Sequence, residues 1–249
     1  MFKSFKVVTL AFTVVAAPAL ADDFNDGQRK EIGKIVRDYL LENPDILLDV
    51  SKKLEERQQT EEASKRKNAL TTRADDIFRM EGDHVAGNPD GDVSVVEFFD
   101  YNCGWCKKGM PEVLAMLDED RNLRLVLKEF PIFGGDSDYA AKAALASRKQ
   151  GKYWQFHLAL LGHEGKVTRE SVDTIAADVG LDVAKLKTDM GTSEVTEIIR
   201  KNQELAAALS ISGTPAFVID TEVVPGFLPK EGLMSSVDRV RQGGGCKIC

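Results

Sequence analysis

Val93-Ser-Val-Val-Glu-Phe-Phe99, then Asp100-Tyr101-Asn102, then Cys103-Gly104-Trp105-Cys106, is the run on which the fold turns. The first seven residues are strongly apolar and read as a buried strand. From Cys103 to about Leu117 the pattern turns helical. The first cysteine therefore stands where strand passes to helix, and unpaired N–H groups and the helix dipole there favour a thiolate. Two intervening residues let the second thiol reach back to the first within one turn. A thiolate with a thiol neighbour can attack a disulfide and then resolve the mixed disulfide. Trp105 is placed to shield the pair, and Lys107 and Lys108 add positive potential. Pro111 lies too deep for the first turn and is expected to kink the helix. A zinc clip is the other common use of such a pair, but no further His or Cys lies near enough in sequence to complete four ligands. No metal and no other cofactor is expected at this pair.

Working outward, Leu123 to Phe130 is a second apolar strand, so strand, helix and strand suggest a parallel pair with a crossover helix. Residues 136–210 carry only helical patterns, as in Ala140 to Ser147, Tyr153 to Leu161 and Val195 to Leu209. Ala216 to Ile219 and Val223-Val224 read as a hairpin, and Glu231 to Arg241 as a last helix. The expectation for 83–242 is an α/β domain: βαβ, an inserted helical block, then ββα. Gly243-Gly244-Gly245 closes it, and 243–249 is expected to be a flexible tail bearing Cys246 and Cys249. On the other side, Glu81 to Asp92 (EGDHVAGNPDGD), with its turn signals Asn88-Pro89 and Asp90-Gly91, marks the boundary.

The preceding segment, 22–80, is helical in pattern. Ile32, Ile35, Val36, Tyr39 and Leu40 fall at helical spacing, Asn43-Pro44 breaks the helix, and Ile46, Leu47, Val50 and Leu54 form a second stripe. From Lys52 to Arg73, 11 of 22 residues are charged, with Glu61/Lys65 and Glu62/Arg66 as i,i+4 pairs; this reads as a solvated spacer. Two short stripes cannot bury each other well enough to fold alone. They either dock on the main domain or pair with copies of themselves, and the charged spacer favours a symmetric homo-oligomer through 22–80. At the start, Lys3 and Lys6, an uncharged run Val7 to Ala17 and Ala19-Leu20-Ala21 have the form of a signal peptide, 1–21, pointing to an exported, periplasmic destination.

Composition narrows the function. The 249 residues are 43% apolar and 29% charged, with 33 Lys plus Arg against 40 Asp plus Glu. The charge of −7 gives no electrostatic reason to bind nucleic acid. All four cysteines fall in two CxxC pairs, Cys103/Cys106 and Cys246/Cys249, so redox chemistry or metal binding leads.

Phe98-Phe99-Asp100-Tyr101-Asn102-Cys103-Gly104-Trp105-Cys106 resembles the active-site segment of thioredoxin-fold oxidoreductases of the DsbA family, and the helical block is similar to that family's insertion. Gly213-Thr214-Pro215-Ala216-Phe217 resembles the family's cis-proline loop, and Lys128-Glu129-Phe130-Pro131 its segment after the second strand. Ile32 to Leu48 is similar to the N-terminal region of suppressor-of-copper-sensitivity-C proteins and the related Com1-like proteins. Together these cover nearly all of the chain after the leader. The resemblance implies a thioredoxin fold in which Cys103 attacks, Cys106 resolves, and Thr214, Pro215 and Trp105 meet the substrate. It also implies that Glu97 is a buried acid assisting proton transfer, its pKa raised by desolvation. The residues alone also leave open an edge position facing water for Glu97. Gly104-Trp105 departs from the Pro-His of strongly oxidising members, so the potential is expected below their ~ −120 mV.

The resemblance thus implies a periplasmic disulfide isomerase or reductase acting on exported cysteine-containing proteins and kept reduced by a membrane redox partner. A DsbA-like dithiol oxidase and a copper-binding thiol protein are the alternatives. The resemblance does not reach Cys246-Lys-Ile-Cys249, which reads as a soft-metal ligand pair, a second exchangeable dithiol, or a small inert disulfide. His157 is expected to be a core or capping histidine, and His84 and His163, near turns, to titrate freely.

Overall fold

The computed structural model describes residues 24–249, and the leader read from 1–21 lies outside them. Contacts divide the chain into two units, 1–57 and 58–249. In the first, Asn25 opens α1 (Asp26–Glu42): its side chain accepts from Gln28 N at 2.9 Å, and the Gln28 side chain accepts from Asn25 N at 2.9 Å. That reciprocal cap satisfies two orphan N–H groups. Asn43-Pro44 ends α1, and α2 (Asp45–Thr72) follows. No residue of α1 is buried, and Ile32, Ile35, Val36, Tyr39, Leu47, Val50 and Leu54 are all exposed.

In the second unit the end of α2 buries Ala69 and Leu70, and α3 (Ala74–Phe78) buries Ile77 and Phe78. The sheet is built from β1 (His84–Gly87), β2 (Val93–Phe99), β3 (Leu123–Glu129), β4 (Ala216–Ile219) and β5 (Glu222–Pro225), in the order β1-β3-β2-β4-β5. Only β2 and β3 pair in parallel, joined by α4 (Gly104–Glu119), and the other pairings are antiparallel. This is the expected thioredoxin-type α/β arrangement. The helical block between β3 and β4 comprises α5 (Gly135–Ser147), a 3-10 turn, α6 (Tyr153–Gly162), α7 (Arg169–Asp178), α8 (Val183–Met190) and α9 (Ser193–Ala208), and α10 (Lys230–Gln242) closes the domain. Pro111 lies inside α4, which runs unbroken past it.

Strand periodicity sorts the core into two layers. Val93, Val95 and Phe99 of β2 join one cluster with Val113 and Met116 of α4 and the inserted helices. Val96 and Phe98 join a second cluster with Leu70, Ile77, Phe78 and Leu205. Both faces are covered, which is why β2 reads as a continuous apolar run. The sequence reading missed β1. It is a four-residue edge strand ending at Gly87, whose φ of 74° suits glycine. A Cβ there would meet the Leu123 carbonyl oxygen at 2.5 Å.

Lys128 sits in β3 with no exposed side chain. Its ammonium pairs with the buried Asp83 carboxylate and donates to Asp76 O at 2.6 Å. Burial raises the Asp83 pKa to about 6 against the pull of Lys128. The end of the chain, read as a flexible tail, lies against the domain. Asp220 Oδ1 accepts from Lys247 N and Ile248 N at 2.8 and 3.0 Å, and Ile248 packs on the second core cluster.

Candidate active site

Cys103 is the N-cap of α4, in extended conformation (φ −78°, ψ 114°), and its Sγ accepts from Cys106 N at 3.4 Å. The strand-to-helix handover read from sequence therefore places the sulfur over the helix's first free N–H groups. Cys103 and Cys106 are both free and both buried. The Cys103 pKa falls from 9.0 to about 6, chiefly through a hydrogen bond from the Cys106 thiol, with the N–H groups of Cys106 and Trp105 adding to it and burial opposing. Burial pushes Cys106 far the other way, reinforced by Cys103 and by the Glu97 carboxylate. At neutral pH one sulfur is thus a thiolate and its neighbour a thiol.

Glu97 is buried in the central strand, 4% exposed, and pairs across the sheet with Leu127 and Phe217. It is not an edge residue. Parity puts it on the same face as Val95 and Phe99, the face covered by α4. Burial, with the Cys103 charge behind it, raises its pKa to about 8, so the carboxyl is largely protonated at neutral pH.

The Thr214–Pro215 peptide is cis, and the Cys103 thiol faces the Thr214 carbonyl oxygen at 3.1 Å. The Thr214 hydroxyl is buried without a hydrogen-bond partner. Cys103, Cys106, Glu97, Thr214 and Pro215 therefore meet at one end of the sheet. Trp105 is more than half exposed, its ring 5.5 Å from that of Phe227. Lys108 lies over both rings, 4.8 and 5.6 Å from their centroids. Lys107 does other work: it donates to His163 O and Gly165 O at 2.7 and 2.6 Å, tying α4 to the α6–α7 loop.

Several supporting residues escaped the sequence reading. Asp100 holds the loop before the thiols: Oδ1 accepts from Asn102 N and Ser137 Oγ, both at 2.7 Å, and Oδ2 from Ile132 N and Phe133 N at 2.7 and 3.1 Å. Asn102 in turn accepts from Val167 N at 2.8 Å and donates to Val167 O at 3.0 Å. Beneath them Glu129 Oε1 accepts from Tyr101 and Tyr153 at 2.8 and 2.7 Å. His157 Nδ1 lies 3.1 Å from the Tyr101 hydroxyl, and burial lowers its pKa to about 3. It is a core histidine, as expected. His84 does not titrate freely. It stacks on Tyr153 at 4.5 Å, and burial lowers its pKa. Phe227, between Gly226 and Leu228, carried no local signal beyond being an aromatic in a turn.

The DSBA-like thioredoxin domain family matches residues 94–237, spanning the thiol pair, the inserted helices and the cis-proline loop. The chain belongs to this family. Residues 28–61 also match the copper resistance protein ScsC N-terminal domain. A thioredoxin-like oxidoreductase from Silicibacter pomeroyi is 49% identical and covers 68% of this chain and 97% of its own, with a TM-score of 0.67. Proteus mirabilis ScsC in a transitional conformation is 26% identical and covers 87% of this chain and 98% of its own, at a TM-score of 0.65. The probable disulfide bond formation protein D of Bacillus anthracis is 26% identical over 186 residues, 69% of this chain and 84% of that protein. Sodium/proton antiporters of two Salinispora species match at 29% identity, but the chain spans only 24% and 22% of their length. No helix among the described residues is long and apolar enough to cross a membrane.

Proposed function

We propose that this DsbA-family protein is a periplasmic thiol–disulfide oxidoreductase that works as an isomerase or reductase on exported cysteine-containing proteins. The observation that carries the thiol–disulfide part of this reading is the split between the two sulfurs: a stabilised Cys103 thiolate beside a Cys106 held as a thiol. The thiolate attacks one sulfur of a substrate disulfide, that S–S bond breaks, and the other substrate sulfur leaves as a thiolate. Cys106 then gives its proton to Glu97 in the minority of molecules whose Glu97 is ionised at neutral pH, a fraction that grows toward pH 8, and attacks Cys103 Sγ. The mixed disulfide breaks, and the substrate leaves as a second thiolate. An isomerase lets a substrate thiolate reverse the first step instead. The Thr214 backbone and Pro215 receive the extended substrate chain, and Trp105 with Phe227 offers it an apolar shelf. Export follows from the leader-like residues 1–21, and the reduced state requires a membrane redox partner as electron source. Self-association rests on the exposed apolar stripes of α1 and the first half of α2.

Refolding of scrambled ribonuclease tests the assignment. Recovery of activity by the reduced protein, lost in Cys103→Ser, supports isomerisation. Oxidation of reduced peptide with no recovery of scrambled ribonuclease supports the oxidase reading instead. A Cys103 pKa near 6 favours that second reading, because a stabilised thiolate makes the disulfide more oxidising.

A further inference from the structure

Cys246 and Cys249 form a disulfide, but the disulfide is not what holds the tail in place. Gly244 and Gly245, at φ 97° and 91°, turn the chain back onto the domain. Asp220 Oδ1 accepts from Lys247 N at 2.8 Å and Ile248 N at 3.0 Å. Arg79 donates to Cys249 O at 2.9 Å and Ile248 O at 3.3 Å. Ile248 packs on the second core cluster. None of these contacts needs the S–S bond, so the two sulfurs remain beside Asp220 once that bond is broken. Both sulfurs and a carboxylate oxygen of Asp220 lie within 4.8 Å of one another. A tetrahedral Zn²⁺ site with S and O ligands has ligand–ligand edges of about 3.3–3.8 Å; Cys246 Sγ already lies 3.7 Å from Asp220 Oδ1, and reduction frees the two sulfurs to separate from a bonded ~2.05 Å to about 3.8 Å.

We propose that the reduced tail is a second site, in which Cys246, Cys249 and Asp220 bind a thiophilic divalent cation of the Zn²⁺ type, with water as the fourth ligand. The disulfide is the closed state of this site. A dithiol opens it: one donor thiolate attacks a tail sulfur, the Cys246–Cys249 bond breaks, and the departing tail thiolate takes a proton. The second donor sulfur, having lost its proton, displaces the mixed disulfide and the other tail sulfur is protonated. The donor ends oxidised and the tail ends as two thiols. Binding the cation releases both thiol protons. Two thiolates and a carboxylate carry three negative charges, and the nearby Arg79 guanidinium offsets what the divalent ion leaves uncompensated. Soft sulfur with one hard oxygen suits Zn²⁺, whereas Cu⁺ prefers soft donors and gains little from the carboxylate. The site is separate from the thiols at 103 and 106. Ile219, just before Asp220, pairs with Val95, whereas Ala216 pairs with Phe98 at the end of β2 that leads to Cys103. The tail therefore lies toward the opposite end of the sheet.

The test uses the full chain carrying Cys103→Ser and Cys106→Ser, reduced with a phosphine, desalted without oxygen and titrated with Co²⁺. One equivalent should give sulfur-to-cobalt charge-transfer bands and the intense visible bands of tetrahedral Co²⁺, and Zn²⁺ should displace it. The oxidised protein should give neither. Asp220→Asn keeps an oxygen for the Lys247 and Ile248 N–H groups, so the tail stays docked while affinity falls at least about tenfold. Cys246→Ser should abolish the charge-transfer bands. Absence of these bands in reduced protein that keeps its circular dichroism overturns the proposal. So does undiminished affinity in a folded Asp220→Asn variant, or uptake of Cu⁺ with no response to Co²⁺.

Discussion

Truncating Cys106 should move the acidity of Cys103, and the outcome depends on which atom replaces the thiol. The drop in the Cys103 pKa from 9.0 to about 6 corresponds to roughly 4 kcal/mol of preference for the thiolate. Its largest cause is the hydrogen bond from Cys106, and the backbone N–H groups of Cys106 and Trp105 supply a further part. Cys106→Ala removes the first and keeps the second. The Cys103 pKa should then rise by about one pH unit, ~1.4 kcal/mol, yet stay below that of a free thiol. Cys106→Ser restores a donor at the same place and should hold the pKa within about half a unit of its original value. The thiolate's ultraviolet absorbance against pH reads this directly, and the rate of alkylation against pH checks it. The tail cysteines, as a disulfide, stay silent. Alanine and serine variants that titrate alike would refute the thiol's role, and a native Cys103 titrating near 9 would refute the whole scheme.

The same group ties redox state to stability. A depressed acid pKa stabilises the fold fully above the unfolded value, here about 9, and the benefit disappears as pH falls through about 6. The oxidised protein has no such thiol. The stability of the reduced form relative to the oxidised form should therefore decline on acidification from pH 9 to 6 and be flat below. At pH 7 the gain is ~1.4 kcal/mol, which raises the potential of the pair by about 30 mV over one with ordinary thiols.

Four other expectations follow from single contacts. Glu97 has its pKa raised from 4.5 to about 8, so the folded state pays an increasing penalty between those values and a constant one above. Glu97→Gln should exceed the native protein in urea midpoint by a margin that widens from pH 5 to 8, toward a ceiling on the order of 4–5 kcal/mol, while resolving mixed disulfides more slowly; a margin independent of pH would count against the buried acid. Trp105→Ala removes the exposed ring tilted against Phe227 and should raise KM for a disulfide-bonded peptide several-fold while leaving turnover of a small disulfide unchanged. Ile35→Asp with Leu47→Asp should convert the proposed oligomer to monomers in sedimentation without altering Cys103 reactivity, and a monomer before mutation would remove the oligomer from the reading. Lys128→Ala strands the Asp83 carboxylate in the interior and should cost ~3–5 kcal/mol in chemical denaturation, much of it recovered by adding Asp83→Asn.

The features legible in the sequence are those whose cause is local. The strand ending at Phe99, the N-cap sulfur and the break at Asn43-Pro44 each follow from residues within a few positions of one another, and each stands where expected. Glu97 was ambiguous for a physical reason. In a strand buried on both faces the alternation vanishes, so no periodicity tells an inward acid from an edge one; only its pairing with Leu127 and Phe217 decides. His84 looked like a turn residue because the aromatic rings that hold it, Tyr153 and Trp154, come from a distant helix. Asp100 and Lys128 draw their meaning from partners just as remote, Ile132 and Ser137 for the first and Asp83 for the second. The tail makes the sharpest case. Three glycines before the second pair argue for a floppy end, and the local chemistry leaves a soft-metal ligand pair, an exchangeable dithiol and an inert disulfide all open. What reverses that reading is one carboxylate at Asp220, held at φ 50° beyond β4, and one guanidinium at Arg79, far earlier in the chain. Sites assembled by such distant partners leave no motif. A second CxxC was therefore visible as a pair of thiols, while the third ligand that turns it into a candidate metal site was visible only in the folded chain.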